Sequence, residues 1–149
     1  MAFPLVFMLS LVTSLVAFPF DRYDVYDYGA TGLGATDDSH AFVSAWEDAC
    51  KSETQSARVI VPRGTFLLNP LMFNGPCHPK TIHFIIYGTL ISPSSPKTWK
   101  GLDSSQWIAF KNLTGLNVYG SGLIDGQGMT WWDQSCRYHP NQVFKTLTV

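Results

Sequence analysis

Ile86-Tyr87-Gly88-Thr89-Leu90-Ile91 returns later in the chain as Val118-Tyr119-Gly120-Ser121-Gly122-Leu123-Ile124, with one residue inserted. Both stretches run from an apolar residue through Tyr-Gly into an apolar pair. Repeated strand–turn–strand units are what a β-solenoid is made of, because each rung buries its inward side chains against the next. A single echo also fits two sheets packed face to face, so the pattern alone leaves a solenoid and a β-sandwich open.

Short strands surround the echo. Arg58–Val61 is followed by the turn Pro62-Arg63-Gly64 and then by Thr65–Leu68. Ile82–Ile91 reads as one long strand, broken by Ser92-Pro93-Ser94-Ser95-Pro96, and Trp107–Phe110, Leu116–Tyr119 and Gly122–Gly126 follow. Toward the N-terminus, Tyr23–Tyr28 alternates polar residues with aromatic or β-branched ones, as a strand does. Gly29–Gly34 reads as a glycine-rich turn. A helix is predicted over Asp38–Cys50. Asp37 or Asp38 can cap its free N–H groups, and Ala41, Phe42, Ala45, Trp46 and Ala49 fall on one face. Lys51 suits the negative C-terminal end of that helix. No second amphipathic helix is apparent, which disfavours a doubly wound α/β sheet.

Composition narrows the function classes. The chain has 149 residues, a formal net charge of −1, 46% apolar residues and 14% charged ones. A near-neutral chain lacks the basic surface a nucleic-acid partner needs. The apolar fraction is enough for a packed core and argues against intrinsic disorder. The first charged residue is Asp21, and the uncharged run from Ala2 to Ala17 is short and interrupted by Ser10, Thr13 and Ser14. It reads as a secretory signal peptide over residues 1–17, although no Lys or Arg precedes it. No other run is apolar and long enough for a membrane span. An oxidising compartment would favour disulfides among Cys50, Cys77 and Cys136, and an odd count leaves one unpaired. The cysteines lack the close Cys/His pairs of a zinc site, so no metal is expected, and nothing in the sequence calls for a cofactor. Asn112-Leu113-Thr114 is an N-glycosylation sequon, which makes Asn112 a candidate acceptor.

A further set of segments, in order, carries a resemblance. They are Tyr26-Asp27-Tyr28-Gly29-Ala30, Thr36-Asp37-Asp38-Ser39-His40-Ala41-Phe42, Val61-Pro62-Arg63-Gly64-Thr65-Phe66-Leu67 and Phe73-Asn74-Gly75-Pro76-Cys77. Tyr87-Gly88-Thr89-Leu90, Trp107-Ile108-Ala109-Phe110 and Gly122-Leu123-Ile124-Asp125-Gly126-Gln127-Gly128, closed by Trp131-Trp132, complete the set. The chain resembles the plant polygalacturonases of the pectin-lyase-like superfamily from about Tyr23 to His139. The last segment and Gly75-Pro76-Cys77 carry most of the specificity.

That resemblance implies an all-β, right-handed single-stranded parallel β-helix, here its N-terminal cap helix and first rungs. The domain layout expected is a signal peptide at 1–17, the N-terminal part of the β-helix at 18–140 and a divergent tail at 141–149. The family hydrolyses α-1,4-galacturonan in pectin with inversion, one carboxylic acid protonating the leaving oxygen while carboxylates activate water. It carries those groups in Asn-Thr-Asp, Asp-Asp, Gly-His-Gly and Arg-Ile-Lys motifs. None can be placed here, so the resemblance implies no catalytic residue, and a chain without the later half of the family pattern is expected to be inactive alone. The alternative is a secreted fragment that binds pectin or a partner without catalysis. Pectin or polygalacturonate is the expected partner and the cell wall the expected location, with the open end of the β-helix free for self-association. The resemblance also implies that Cys50 and Cys77 form a disulfide, leaving Cys136 free.

Other residues that suggest chemistry have plainer readings. Asp37-Asp38 stands at a helix start, where carboxylates cap rather than catalyse. Asp125 lies in a Gly-rich turn, where its side chain would bond to nearby backbone. Trp131-Trp132 reads as a buried closure of the wall, with stacking on sugar rings as the alternative. His40, His78, His83 and His139 are scattered and unassigned, His83 being a strand-face residue. Expressed in a plant cell, the chain should be exported and lose about its first 17 residues, in line with a short signal peptide. N-terminal sequencing of the exported protein checks this, and finding Met1 retained would overturn cleavage.

Overall fold

The computed structural model describes residues 21–99 and 105–132, without the side chains of Pro96, Thr130 and Trp131. The segments 1–17 and 141–149, together with Cys136 and His139, lie outside the described residues.

Ten short strands and one full-length helix make up the described chain. β1 (Asp21–Asp24) leads through a 3-10 turn (Val25–Tyr28) to β2 (Leu33–Asp37) and α1 (Ser39–Lys51). Then come β3 (Ser56–Val61), β4 (Thr65–Leu67) and β5 (Leu71–Asn74), followed by β6 (Thr81–Ile86), β7 (Thr89–Ile91) and β8 (Ile108–Lys111). β9 (Leu116–Tyr119), β10 (Leu123–Asp125) and the single turn α2 (Met129–Trp132) finish the series.

The strands form three parallel sheets, ordered β1-β3-β6-β9, β2-β4-β7-β10 and β5-β8. Consecutive strands never pair with each other. Each lies on a different sheet from the one before, and the chain returns to the first sheet one rung further on. That is a parallel β-helix, and it removes the β-sandwich that the echo had left open.

Registry places like on like in the interior. Val59 pairs with Phe84 and Phe84 with Val118, while Phe66 pairs with Leu90 and Leu90 with Ile124. Phe73 pairs with Phe110, and their rings stack with centroids 4.9 Å apart. Alternate residues of β3 (Ala57, Val59, Val61) are buried, the period-two pattern of a strand with one face inside; β6 buries Ile82, Phe84 and Ile86 in the same way and Ile85 as well.

α1 closes one end of this interior. Its buried residues are Ala41, Phe42, Ala45, Trp46 and Ala49, the stripe that the sequence spacing marks. Phe42 meets Phe66 edge-on, and Trp46 lies within 6.4 Å of Phe73, Phe84 and Phe110, ring centre to ring centre. The Trp46 indole N–H donates to the Asn74 carbonyl at 3.1 Å, so its polar edge is satisfied while its rings are buried.

Several elements differ from the sequence expectation. Tyr23–Tyr28 is strand only to Asp24 and then turns, because the Asp24 carboxylate accepts from the Tyr26 N–H at 3.1 Å and starts a 3-10 turn. The glycine-rich turn ends earlier than expected, and Leu33–Asp37 pairs with β4 as β2. Leu71–Asn74, hidden between Pro70 and Gly75-Pro76, is a strand that sequence reading passed over. Ile82–Ile91 is two strands on different sheets, divided at Tyr87-Gly88.

The echo also acquires a different register. Ile85 pairs with Tyr119 and Thr89 with Leu123, so the two coils advance in step and Gly88 lies beside Gly122 rather than Gly120. No residue is inserted. Gly32, Gly64, Gly88 and Gly122 therefore stack in a column at one corner, just before β2, β4, β7 and β10. The carbonyls of the first three accept from the residue that follows the next glycine: Gly32 O from Thr65 N at 2.9 Å, Gly64 O from Thr89 N at 2.8 Å, Gly88 O from Leu123 N at 3.0 Å. A Cβ on Gly88 would run into the carbonyl oxygens of Pro62 and Gly64, and one on Gly122 into that of Gly88. These obstacles are backbone atoms and cannot rotate away.

Gly88→Ala should therefore cost about 1–3 kcal/mol, the usual range for forcing an extra methyl into a filled site. Gly126→Ala, where nothing lies within 4 Å of the new Cβ, should stay within about 0.5 kcal/mol. Urea unfolding of both variants checks the pair, and equal effects would refute the corner constraint.

Candidate functional site

The paired carboxylates Asp37-Asp38 divide their work. Asp37 accepts from the Ser39 N–H at 3.0 Å, from the Ser39 hydroxyl, and from the Asn69 side-chain amide at 2.7 Å. It thus caps the first turn of α1 and ties it to the chain after β4. Burial pushes its pKa up, but the Ser39 and Asn69 hydrogen bonds outweigh that and hold it below the usual aspartate value. The bonds to its ionised form contribute stability above its unfolded pKa, and that stability fades as pH falls through the lowered folded value.

Asp38 makes no side-chain bond to the helix. It is buried, and its carboxylate accepts from the Thr31 N–H at 2.6 Å, the Thr31 hydroxyl at 3.0 Å and the Gly32 N–H at 3.2 Å. The glycine loop is wrapped around this charge. Of the two capping candidates, only Asp37 acts on helix N–H groups.

Asp125, Asp48 and Asp21 are likewise held in hydrogen bonds. Asp125 accepts from the Gln127 N–H at 2.8 Å, the side-chain turn expected of it. Asp48 accepts from the Tyr28 hydroxyl at 3.0 Å, and burial together with this bond to Asp48 pushes the Tyr28 phenol up to about 12. Asp21 accepts from the hydroxyls of Tyr23 and Ser52. Burial, with the nearby Asp21 charge, also raises the Tyr23 phenol, against the opposing Ser52 bond.

Among the histidines, His83 lies on the outer face of β6 between Arg58 and Asn117, edge-on to the Tyr119 ring at 5.8 Å. His78 stands 3.7 Å from Glu53 at an exposed position, and His40 is exposed on α1. Trp132 is 60% exposed, which corrects the expectation of a buried wall for that residue. It belongs to a one-turn helix beyond the last strand, where no later rung among the described residues covers it. Among the described residues no group of three or more His, Cys, Asp or Glu could hold a metal ion. No described helix is long and apolar enough to cross a membrane.

Cys50 and Cys77 are joined with their Cα atoms 4.5 Å apart, linking the last turn of α1 to the loop after β5. Closing a loop of 27 residues corresponds to roughly 3 kcal/mol in the chain-entropy model. Asn112 is exposed in the turn after β8 with φ 56°, a left-handed conformation that asparagine tolerates.

Sequence reading missed one concave feature. A cavity of about 310 Å³ opens between α1 and the outer face of β5, bordered by Glu47 and Lys51 on the helix and by Met72, Asn74, Pro76 and His78. Its lining is spread from Val43 to His78, no single motif holds it, and only the packing of α1 on β5 assembles it.

Comparison with known proteins agrees with this architecture. The sequence pattern of Glycosyl hydrolases family 28 matches residues 50–148. A probable polygalacturonase of Arabidopsis thaliana is 44% identical over 128 residues, 85% of this chain and 26% of that protein. An exopolygalacturonase of Platanus acerifolia is 38% identical over 120 residues, 80% of this chain and 30% of that protein. The crystal structure of a hyperthermoactive exopolygalacturonase from Thermotoga maritima superposes with a TM-score of 0.55 at 27% identity, covering 70% of this chain and 24% of that one. The chain thus spans about a quarter of the length of relatives such as these. By the match of residues 50–148 and its identity to polygalacturonases, the chain belongs to glycosyl hydrolases family 28.

Proposed function

We propose that this chain supplies the capped N-terminal coils of a polygalacturonase, the part that starts the β-helix and positions later coils for hydrolysis of α-1,4-galacturonan in pectin. The observation that carries the reading is the 38–44% identity to polygalacturonases over the same coils that fold here into a parallel β-helix. On this reading the protein is secreted, residues 1–17 are its signal peptide, and it works in the cell wall. The Cys50–Cys77 link ties the cap to the first coils in that oxidising compartment.

The 149-residue chain by itself should not turn over polygalacturonate. Inverting hydrolysis needs an acid and a base roughly 6.5–9.5 Å apart on opposite sides of one bond. Asp21, Asp37, Asp38, Asp48 and Asp125 are instead held in hydrogen bonds that shape turns, the cap and the loop around it.

A second reading, binding without catalysis, is favoured by one feature. Val118 and Ile124 continue the inward columns yet are 46% and 53% exposed, on strands at the ends of their sheets. Such a face favours association with another copy or partner.

Purified chain should release no reducing ends from polygalacturonate above background, and sedimentation should show species larger than a monomer. Turnover that disappears on Asp125→Asn would overturn the inactive reading, and a strictly monomeric inactive chain would count against association. Asn112 should carry an N-glycan in the secreted protein. Enzymatic trimming should shift its mobility, and Thr114→Ala should abolish the shift while keeping asparagine in its left-handed turn. An unshifted parent protein would refute the glycan.

A further inference from the structure

The cavity between α1 and β5 is a concave feature among the described residues that the roles above do not absorb. Its two sides differ chemically. The helix side presents Glu47 and Lys51, one turn apart and 3.7 Å from each other, with side chains 59% and 69% exposed. The strand side presents Met72 and Asn74, outward on β5, followed by Pro76 and His78. Lys51 and His78 can each donate to an anion. Glu47 and Asn74 are planar groups that can each engage two neighbouring hydroxyls, as acceptor and as mixed donor and acceptor. Met72 and Pro76 give an apolar surface on which the C–H face of a ring can lie.

A cation, a carboxylate, an amide and an apolar strip in one cleft match a ligand carrying a carboxylate, several hydroxyls and an apolar face together. That is a sugar acid. Lys51 and His78 stand in exposed, weak pairs with Glu47 and Glu53, for which an incoming carboxylate can compete and a neutral sugar cannot, while a simple anion would leave Glu47 and Asn74 unused. The cleft volume of about 310 Å³ is at the small end for ligand sites, enough for a ring or two.

The cleft also continues along the solenoid. Asn74 pairs with Lys111 on the next rung, and Lys111 is exposed on the same outer face. Rungs of a parallel sheet are about 4.8 Å apart. A second cation therefore stands one rung along the axis, where a neighbouring unit of a linear polymer would bring a second carboxylate.

We propose that the α1–β5 cleft is an anchoring site for acidic polysaccharide. Lys51 and His78 hold one uronate carboxylate, Lys111 holds a neighbouring one, and Glu47 and Asn74 hold ring hydroxyls. The site's assignment to galacturonate rests on the function proposed above.

The test is titration of the full secreted chain with short oligogalacturonate, the same oligomer fully methyl-esterified, and an acidic alginate oligomer. Lys51→Gln combined with His78→Gln should weaken oligogalacturonate binding at least about tenfold, since each removes a charge-assisted bond. Lys111→Gln should weaken longer oligomers more than short ones. Arg63→Gln, at the glycine corner, should leave binding unchanged, and methyl-esterification should weaken binding as the double variant does. Both groove side chains are about two-thirds exposed, so unchanged melting temperatures should accompany these losses. Oligogalacturonate binding untouched by the double variant would overturn the cleft while leaving the polygalacturonase reading in place. Alginate binding that needs Lys51 and His78, with no galacturonate binding, would keep the cleft and sink the substrate reading. Absence of binding by either acidic oligomer would overturn the cleft, and the reducing-end assay would still judge the function separately.

Discussion

The fold depends on how closely the backbone can approach itself at one corner of each coil. Gly32, Gly64, Gly88 and Gly122 stand in a column there, and the carbonyls of the first three accept the N–H that follows the next glycine. At Gly64, Gly88 and Gly122 a Cβ would meet a carbonyl oxygen of a neighbouring coil. Because those bonds fix where β4, β7 and β10 begin, they also fix the register of the sheet. Period-two alternation makes register decisive: a slip by one residue would turn Phe66, Leu90 and Ile124 to the outside.

Once register is set, the interior is a stack of matched side chains, with Phe73 on Phe110 and both packed with Phe84 around Trp46. A solenoid interior would be open at its end, and α1 closes it with one indole and one phenyl ring. The helix is held in place at both ends. Asp37 bonds its first N–H and Asn69, and Cys50 joins its last turn to Cys77. The carboxylates so used explain why acidic residues in this part of the chain serve architecture. Buried Asp38 organises the loop that delivers Gly32 to the corner column, through bonds to Thr31 and Gly32. Removing it would take the shared acceptor from three part-buried donors of the loop.

The same packing that closes the solenoid creates the cleft. α1 must lie against β5 to bury Trp46, and its flank with Glu47 and Lys51 is then left beside the outward side chains of β5. Capping and the proposed anchoring of an acidic polymer are thus two faces of one helix–strand contact. The inward face is apolar and the outward rim is charged.

The sequence by itself determined the buried stripe of α1 and the lineage, because these are carried by neighbouring residues with a fixed period or by ordered short motifs. Asp125 was legible as a turn residue for the same reason: its partner, the Gln127 N–H, is two residues away. Leu71–Asn74 was not legible as a strand, since four residues between Pro70 and Gly75-Pro76 carry too little periodicity to be read alone. Nor was the break at Tyr87-Gly88, where an unbroken apolar run conceals a turn onto another sheet. Tertiary structure decided whether the echo meant a solenoid or a sandwich, and it aligned Gly88 with Gly122 where local similarity suggested Gly120. It also brought Lys51, Asn74 and His78 to one rim. Those outcomes depend on hydrogen bonds and contacts between coils that lie dozens of residues apart, and no local pattern records which distant backbone a residue will meet.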